Sequence, residues 1–349
     1  MKTRETKKQN RSSVILSEEA DGINKVRLMG SARAGEEEEK CPWEEIDDYS
    51  GRFVVAGYRY DDNNSINNYH PWLAYSTDGG KTWTESVTTA NPEQTHGQLQ
   101  GLAYGGGRFV VAGRRGDDTD SYHPWLAYSA DGGKTWTKSV TTAEEGQIHG
   151  QLRALAYGGG RFVVAGYRYD DDDNSESENY RPWLAYSTDG GKTWTESETT
   201  AKEEQTHGQL YALAYGDGRF VVAGYRYDDT DRYHPWLAYS TDGGKTWTRS
   251  ETTAEEQQTH GWLWALTYGG GRFVVSGFRY YGTDNRENEN HHPWLAYSAD
   301  GGKTWTPSET TAAENQVHQE HGEPRALTYA PDSYCWKFGK EEETEETTE

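Results

Sequence analysis

Short apolar or aromatic runs alternate along the chain with glycine-rich and acidic breaks, and the same alternation returns five times. In the copy from Leu99 to Thr142, Leu99–Tyr104 alternates loosely and stops at Gly105-Gly106-Gly107, a turn signal. Arg108–Ala112 is a short β-branched run, and Gly116–Ser121 is polar and acidic, as a loop is. Pro124–Ser129 is aromatic and apolar. Asp131-Gly132-Gly133 is a turn, and Lys134–Thr142 is again rich in β-branched residues. The pattern predicts four short strands, A to D, joined by hairpins. No segment shows the 3.6-residue apolar period of a helix.

The eight residues Ser-x-Asp-Gly-Gly-Lys-Thr-Trp mark each copy, at Ser76–Trp83, Ser129–Trp136, Ser187–Trp194, Ser240–Trp247 and Ser298–Trp305. Successive copies lie 53, 58, 53 and 58 residues apart. Repeats of this length, each a sheet too small to bury both faces, bury one another by stacking. Four strands in about 50 residues predict an all-β β-propeller of four-stranded antiparallel blades.

The motif resembles the Asp box of the sialidase-like, or BNR-repeat, propellers, over about residues 43 to 330. The resemblance implies that the box is the C–D hairpin, on the face opposite the family's active site. Its residues suit a structural role. A short Asp accepts backbone N–H groups across a tight turn, and paired glycines permit positive φ. The structural set is Ser76, Asp78, Gly80 and Trp83; Ser129, Asp131, Gly133 and Trp136; Ser187, Asp189, Gly191 and Trp194; Ser240, Asp242, Gly244 and Trp247; and Ser298, Asp300, Gly302 and Trp305.

Five boxes suggest five blades, but the ends of the chain favour six. Trp43–Phe53 aligns without gaps to Leu99–Phe109, Pro324–Tyr329 repeats strand A, and Tyr334–Phe338 stands where strand B would follow. Val14–Ser17, the turn Ala20–Gly22 and Ile23–Met29 read as the missing C and D strands. The expected domain is therefore 12–339, with repeats at about 43–98, 99–151, 152–209, 210–262 and 263–323 and a closing blade from 12–30 plus 324–339. Five blades remain the alternative. Disorder is expected for 1–11 and for the acidic tail 340–349.

Composition narrows the partners. A net charge of −22 opposes binding to nucleic acid or anionic membrane. No apolar run is long enough for a transmembrane helix, and Val14–Leu16 is too short for a signal core. A cytoplasmic monomer is expected. Two cysteines, Cys41 and Cys335, make no disulfide framework.

The candidate chemistry is repeated too. One set of histidines precedes strand C (His70, His123, His234 and His292), with Arg181 in the third copy. Another precedes strand A (His96, His149, His207 and His260). Trp72, Trp125, Trp183, Trp236 and Trp294 open strand C, and Trp262 and Trp264 break the repeat in strand A. Trp beside His can stack on a sugar ring, so these residues are the candidate ligand site. Turn formation and packing are the competing explanation. No metal site or cofactor is expected.

Sialidases of the resembling family use an arginine triad, a Tyr–Glu pair and an Asp acid. Tyr180-Arg181-Pro182 is the nearest match to their Arg-Ile-Pro motif and lacks the Ile. Glycoside hydrolysis needs carboxylates in differing environments, and near-identical repeats work against that. The expected function is non-enzymatic, lectin-like glycan recognition at several near-equivalent sites. A protein-binding scaffold is the alternative, and a hydrolase comes third.

Overall fold

The computed structural model describes residues 15–18, 25–28, 51–60, 69–88, 96–116, 122–141, 149–169, 180–199, 207–227, 233–252, 260–280, 291–308 and 325–329. The expected tails, the strands at 43–50 and 334–338, the acidic B–C loops, and His318 and His321 lie outside them. The chain divides into two units, 52–329 and the two ends together. Among the described residues no helix is long and apolar enough to cross a membrane.

The larger unit is a succession of antiparallel sheets in which strands A, B, C and D are neighbours in chain order. In the third repeat strand A is His149–Gly158, B is Arg161–Tyr169, C is Arg181–Ser187 and D is Thr193–Glu196. The first repeat shows B, C and D. Strands run longer than their apolar cores predict, because the flanking polar residues also pair. His96, His149 and His260 thus begin strand A rather than precede it.

Strand D corrects the sequence reading. Lys134–Thr142 breaks at Ser139, and Val140-Thr141 leaves its own sheet to pair in parallel with Thr193-Trp194 of the next repeat. The same crossing occurs from Val87, Glu198 and Glu251. Each of the four later sheets thereby gains a fifth, two-residue strand from its predecessor.

The cores lie between successive sheets. In one, Val163, Ala165 and Leu184 of the third repeat meet Leu210, Phe220, Val222, Trp236 and Trp247 of the fourth. The box tryptophans Trp136, Trp194, Trp247 and Trp305 are each 1% exposed, whereas Trp83 in the first box is 45% exposed. No preceding sheet covers that box among the described residues.

Inside each box the hydrogen bonding closes on itself. Ser187 Oγ donates to Asp189 Oδ1 (2.8 Å) and accepts from Gly191 N (2.9 Å). Asp189 also accepts from Thr193 N (3.0 Å) and Thr193 Oγ1 (2.7 Å). The Trp194 indole donates to Gly191 O (3.1 Å). Gly190 and Gly191 have φ of 80° and 86°, the left-handed region that glycine occupies without strain.

The smaller unit contains one described hairpin, Ile15–Glu18 with Lys25–Leu28. It agrees with the predicted terminal C–D pair to within two residues.

Candidate functional site

The two histidine sets meet across the junctions between sheets. His70 lies 5.3 Å from His96, centroid to centroid, and His123 lies 4.6 Å from His149. His123, His149 and His292 are buried, while His70, His96, His207 and His234 are partly exposed and Arg181 is exposed. The strand-C tryptophans are packing residues. Trp125, Trp183, Trp236 and Trp294 are 2–5% exposed inside the cores between sheets, and Trp72 is partly buried. The rings of Trp125, Trp183, Trp236 and Trp294 therefore offer no open face to a sugar.

Trp262 and Trp264 stand elsewhere. Strand A carries a β-bulge in four repeats, between Leu99 and Gly101, Leu152 and Ala154, Leu210 and Ala212, and Leu263 and Ala265. The extra residue is Gln100, Arg153, Tyr211 or Trp264. A bulge leaves one residue out of the ladder and re-aims its side chain. Opposite it strand B has glycine, because a Cβ at Gly166 would overlap the Gln151 carbonyl oxygen, and likewise at Gly113, Gly224 and Gly277.

Three of these bulged residues, Arg153, Tyr211 and Trp264, make a ladder that Arg325 extends. The Arg153 guanidinium lies 4.5 Å from the Tyr211 ring centre, Tyr211 lies 4.4 Å from Trp264, and the Arg325 guanidinium lies 5.0 Å from Trp264. Trp262 thickens it, stacked on Tyr225 at 4.7 Å and edge-on to Trp264 at 5.1 Å. Arg153, Tyr211, Trp262 and Trp264 are partly exposed, and Arg325 is exposed. Tyr211 donates to Gln209 Oε1 at 2.8 Å. Burial, opposed by the Arg153 charge, pushes its phenol up to about 12, and burial raises Tyr225 as well. Both stay neutral at physiological pH.

Sequence reasoning named Trp262 and Trp264 but missed Arg153, Tyr211 and Arg325. The signal was available: within strand A this is the aligned position at which all four copies carry a different residue. Among the described residues no cluster of His, Cys, Asp or Glu could hold a metal ion.

Residues 122–276 and 163–320 match the BNR repeat-like domain, and residues 74–85 match the BNR/Asp-box repeat. The chain belongs to the BNR-repeat family. This BNR-repeat chain is 28% identical over 189 residues to a sialidase of Bacteroides fragilis (strain YCH46), a match covering 50% of the chain and 33% of that protein. The match thus spans a third of that relative's length. Among solved structures, a Hadza microbial sialidase shows 16% identity and a TM-score of 0.48 over 73% of this chain and 55% of the other. A protein of unknown function from Dyadobacter fermentans DSM 18053 shows 19% and 0.46, over 73% and 78%.

Proposed function

We propose that this BNR-repeat chain is a non-enzymatic, lectin-like module that recognises carbohydrate. One observation carries the reading: Tyr211, Trp262 and Trp264 form a partly exposed aromatic wall flanked by polar groups. Aromatic faces of this kind accept the apolar face of a sugar ring. Membership in a family that includes proteins named sialidases supports a carbohydrate ligand. The bulge positions Gln100, Arg153, Tyr211 and Trp264, and Arg325 beside Trp264, include no carboxylate, and a neutral Tyr211 is a poor nucleophile. Both points favour binding over hydrolysis.

A six-bladed ring is part of the proposal. In the terminal hairpin Ser17 pairs with Val26 and Leu16 with Arg27. These are the nine- and eleven-residue separations by which Tyr186 pairs with Thr195 and Ala185 with Glu196. The hairpin therefore has the register of a C–D pair, the half-blade that 324–339 would complete.

A broad glycan array with the folded protein tests the function. Selective binding to one sugar class is expected. A blank across the array would overturn the reading and leave a protein partner, met by the acidic surface, as its replacement.

A further inference from the structure

The five boxes repeat one reactive bond. In an Asp-Gly pair the side-chain carboxyl is open to attack by the next backbone nitrogen, because glycine neither shields that nitrogen nor restrains its backbone. The pair recurs at Asp78-Gly79, Asp131-Gly132, Asp189-Gly190, Asp242-Gly243 and Asp300-Gly301, each followed by Gly-Lys-Thr-Trp. Every one of these carboxylates accepts from the box serine Oγ at 2.7–2.9 Å. Each also accepts from the box threonine, at 2.9–3.0 Å from N and 2.6–2.8 Å from Oγ1. These local bonds do not distinguish the five. Two further pairs, Asp21-Gly22 and Asp217-Gly218, lie outside the boxes.

The grip from outside does distinguish them. Arg52, Arg108, Arg161 and Arg219 donate to the backbone carbonyls of Asp131, Asp189, Asp242 and Asp300. That oxygen belongs to the Asp-Gly peptide unit itself. The same guanidinium covers the glycine, since a Cβ on Gly132, Gly190, Gly243 or Gly301 would collide with it. In the first box Gly80 is partly exposed, its nearest neighbour is Trp83, and Trp83 is 45% exposed.

The sequence supplies no replacement for the missing arginine. Tyr329 packs on Gly269 as Tyr268 packs on Gly216. Aligning these tyrosines puts Ser333 where Arg272 opens strand B. The register of the terminal hairpin likewise puts Leu28 where Ser197 ends strand D. A closing blade built from these residues brings neither the arginine nor the serine to its clamping position.

We propose that Asp78-Gly79 is the box at which this chain forms isoaspartate, and that the arginine clamp suppresses the same reaction in the four later boxes. For Gly79 N to reach Asp78 Cγ, the peptide unit between them must swing, and its carbonyl oxygen must move. A bond to that oxygen opposes the swing. The nitrogen bonds to Cγ of the protonated carboxyl, the Cγ–OH bond breaks, and the amide hydrogen leaves with the hydroxyl as water. Water then opens the succinimide. Attack at Cγ restores aspartate; attack at the backbone carbonyl carbon routes the chain through the side chain and frees an α-carboxylate. One water is lost and one regained, with no redox change. The product draws the carboxylate away from Ser76 and Thr82, and its α-carboxylate suits a methyltransferase that recognises isoaspartate.

Incubating the full chain for several weeks at neutral pH and body temperature tests this. The tryptic peptides ending at Lys81, Lys134, Lys192, Lys245 and Lys303 differ in mass, so fragmentation reports isoaspartate box by box. Asp78 should convert about tenfold faster than each clamped aspartate, the effect on local opening of one hydrogen bond from a charged donor. Arg161→Ala should raise Asp242 by about tenfold and leave Asp78, Asp131 and Asp300 unchanged. In concentrated urea all five should convert at one rate. Equal rates in the folded chain, or no isoaspartate at Asp78, would overturn the assignment. A difference that persists in urea would place the cause in the sequence and overturn the clamp, as would a rise at all four remaining boxes together in the variant.

Discussion

Arg161 leaves its own sheet to donate from Nη1 to the backbone carbonyl of Asp242, 2.6 Å away in the Asp box of the next repeat. Arg108 makes the same bond to Asp189 at 2.8 Å, and Arg52 and Arg219 make it to Asp131 and Asp300. The serine that ends strand D adds a second bond, as from Ser197 Oγ to Gly244 O at 2.6 Å. The parallel crossing adds a third, from Glu198 N to Lys245 O at 2.8 Å. Each of the four later boxes is thus held by three bonds from the sheet before it. Arg52, Arg108, Arg161 and Arg219 are thus structural residues.

Arg161→Ala should therefore destabilise the fold by about 1.5–3 kcal/mol, the usual worth of a hydrogen bond to a charged group. Denaturant unfolding should show a lower midpoint with unchanged binding to any ligand of the ladder, since the bond lies at the box and not at the bulge.

The box tryptophan is one of two tryptophans buried in each core between sheets. Trp194 is 1% exposed and packs with Val110, Ala112 and Leu126 of the preceding sheet. Trp194→Ala should cost about 3–5 kcal/mol. Thermal unfolding followed by circular dichroism would check it, and a loss below about 1 kcal/mol would contradict the packing described.

The boxes also set an acid limit. Hydrogen bonds from the Thr82 side chain and backbone, then from Ser76, lower Asp78 from its usual value to about 2. At Asp131 burial raises the carboxyl, but bonds from Thr135 and Ser129 outweigh it and the value falls to about 2. Asp189, Asp242 and Asp300 are lowered likewise. A carboxylate lowered by folding contributes stability that is fully present above its unfolded pKa, near 4, and is lost as pH falls through the folded value. Melting temperature should therefore hold near pH 6 and fall between about pH 4 and 2. Asp131→Asn should start from a lower melting temperature and show a shallower acid decline.

Gly166 is required by the bulge rather than by a turn, since any side chain there would meet the Gln151 carbonyl. Gly166→Ala should cost about 1–3 kcal/mol, as overpacking does. It should also displace Arg153, so ligand affinity should fall with stability. A variant that unfolds earlier yet binds normally would show that the bulge does not aim the site.

Much of the fold was legible because the box is a local object. Ser187, Asp189, Gly191, Thr193 and Trp194 bond to one another within eight residues, so their order alone encodes the hairpin. The crossing of Val140-Thr141 was not legible. Its partner lies 53 residues further on, and β-branched residues suit either sheet equally. The burial of the strand-C tryptophans was hidden for a related reason. A sequence shows that Trp125 recurs beside a histidine, but not that the preceding sheet packs against its ring. The ladder could have been found by asking where the copies disagree, and by noticing that every Phe-Val-Val run ends two residues before a glycine.

The direction of the bonds at each junction has a genetic consequence. At the four described junctions each sheet presents the same trailing surface to its successor and meets the same leading box, so a duplicated unit arrives already compatible with its neighbours. Copies can then be gained by recombination without redesigning a contact. The bulge takes no part in these junction bonds, so its residue is free to drift after each duplication. Inheritance of the frame and divergence of the binding surface are thereby assigned to different positions in the same fifty-odd residues.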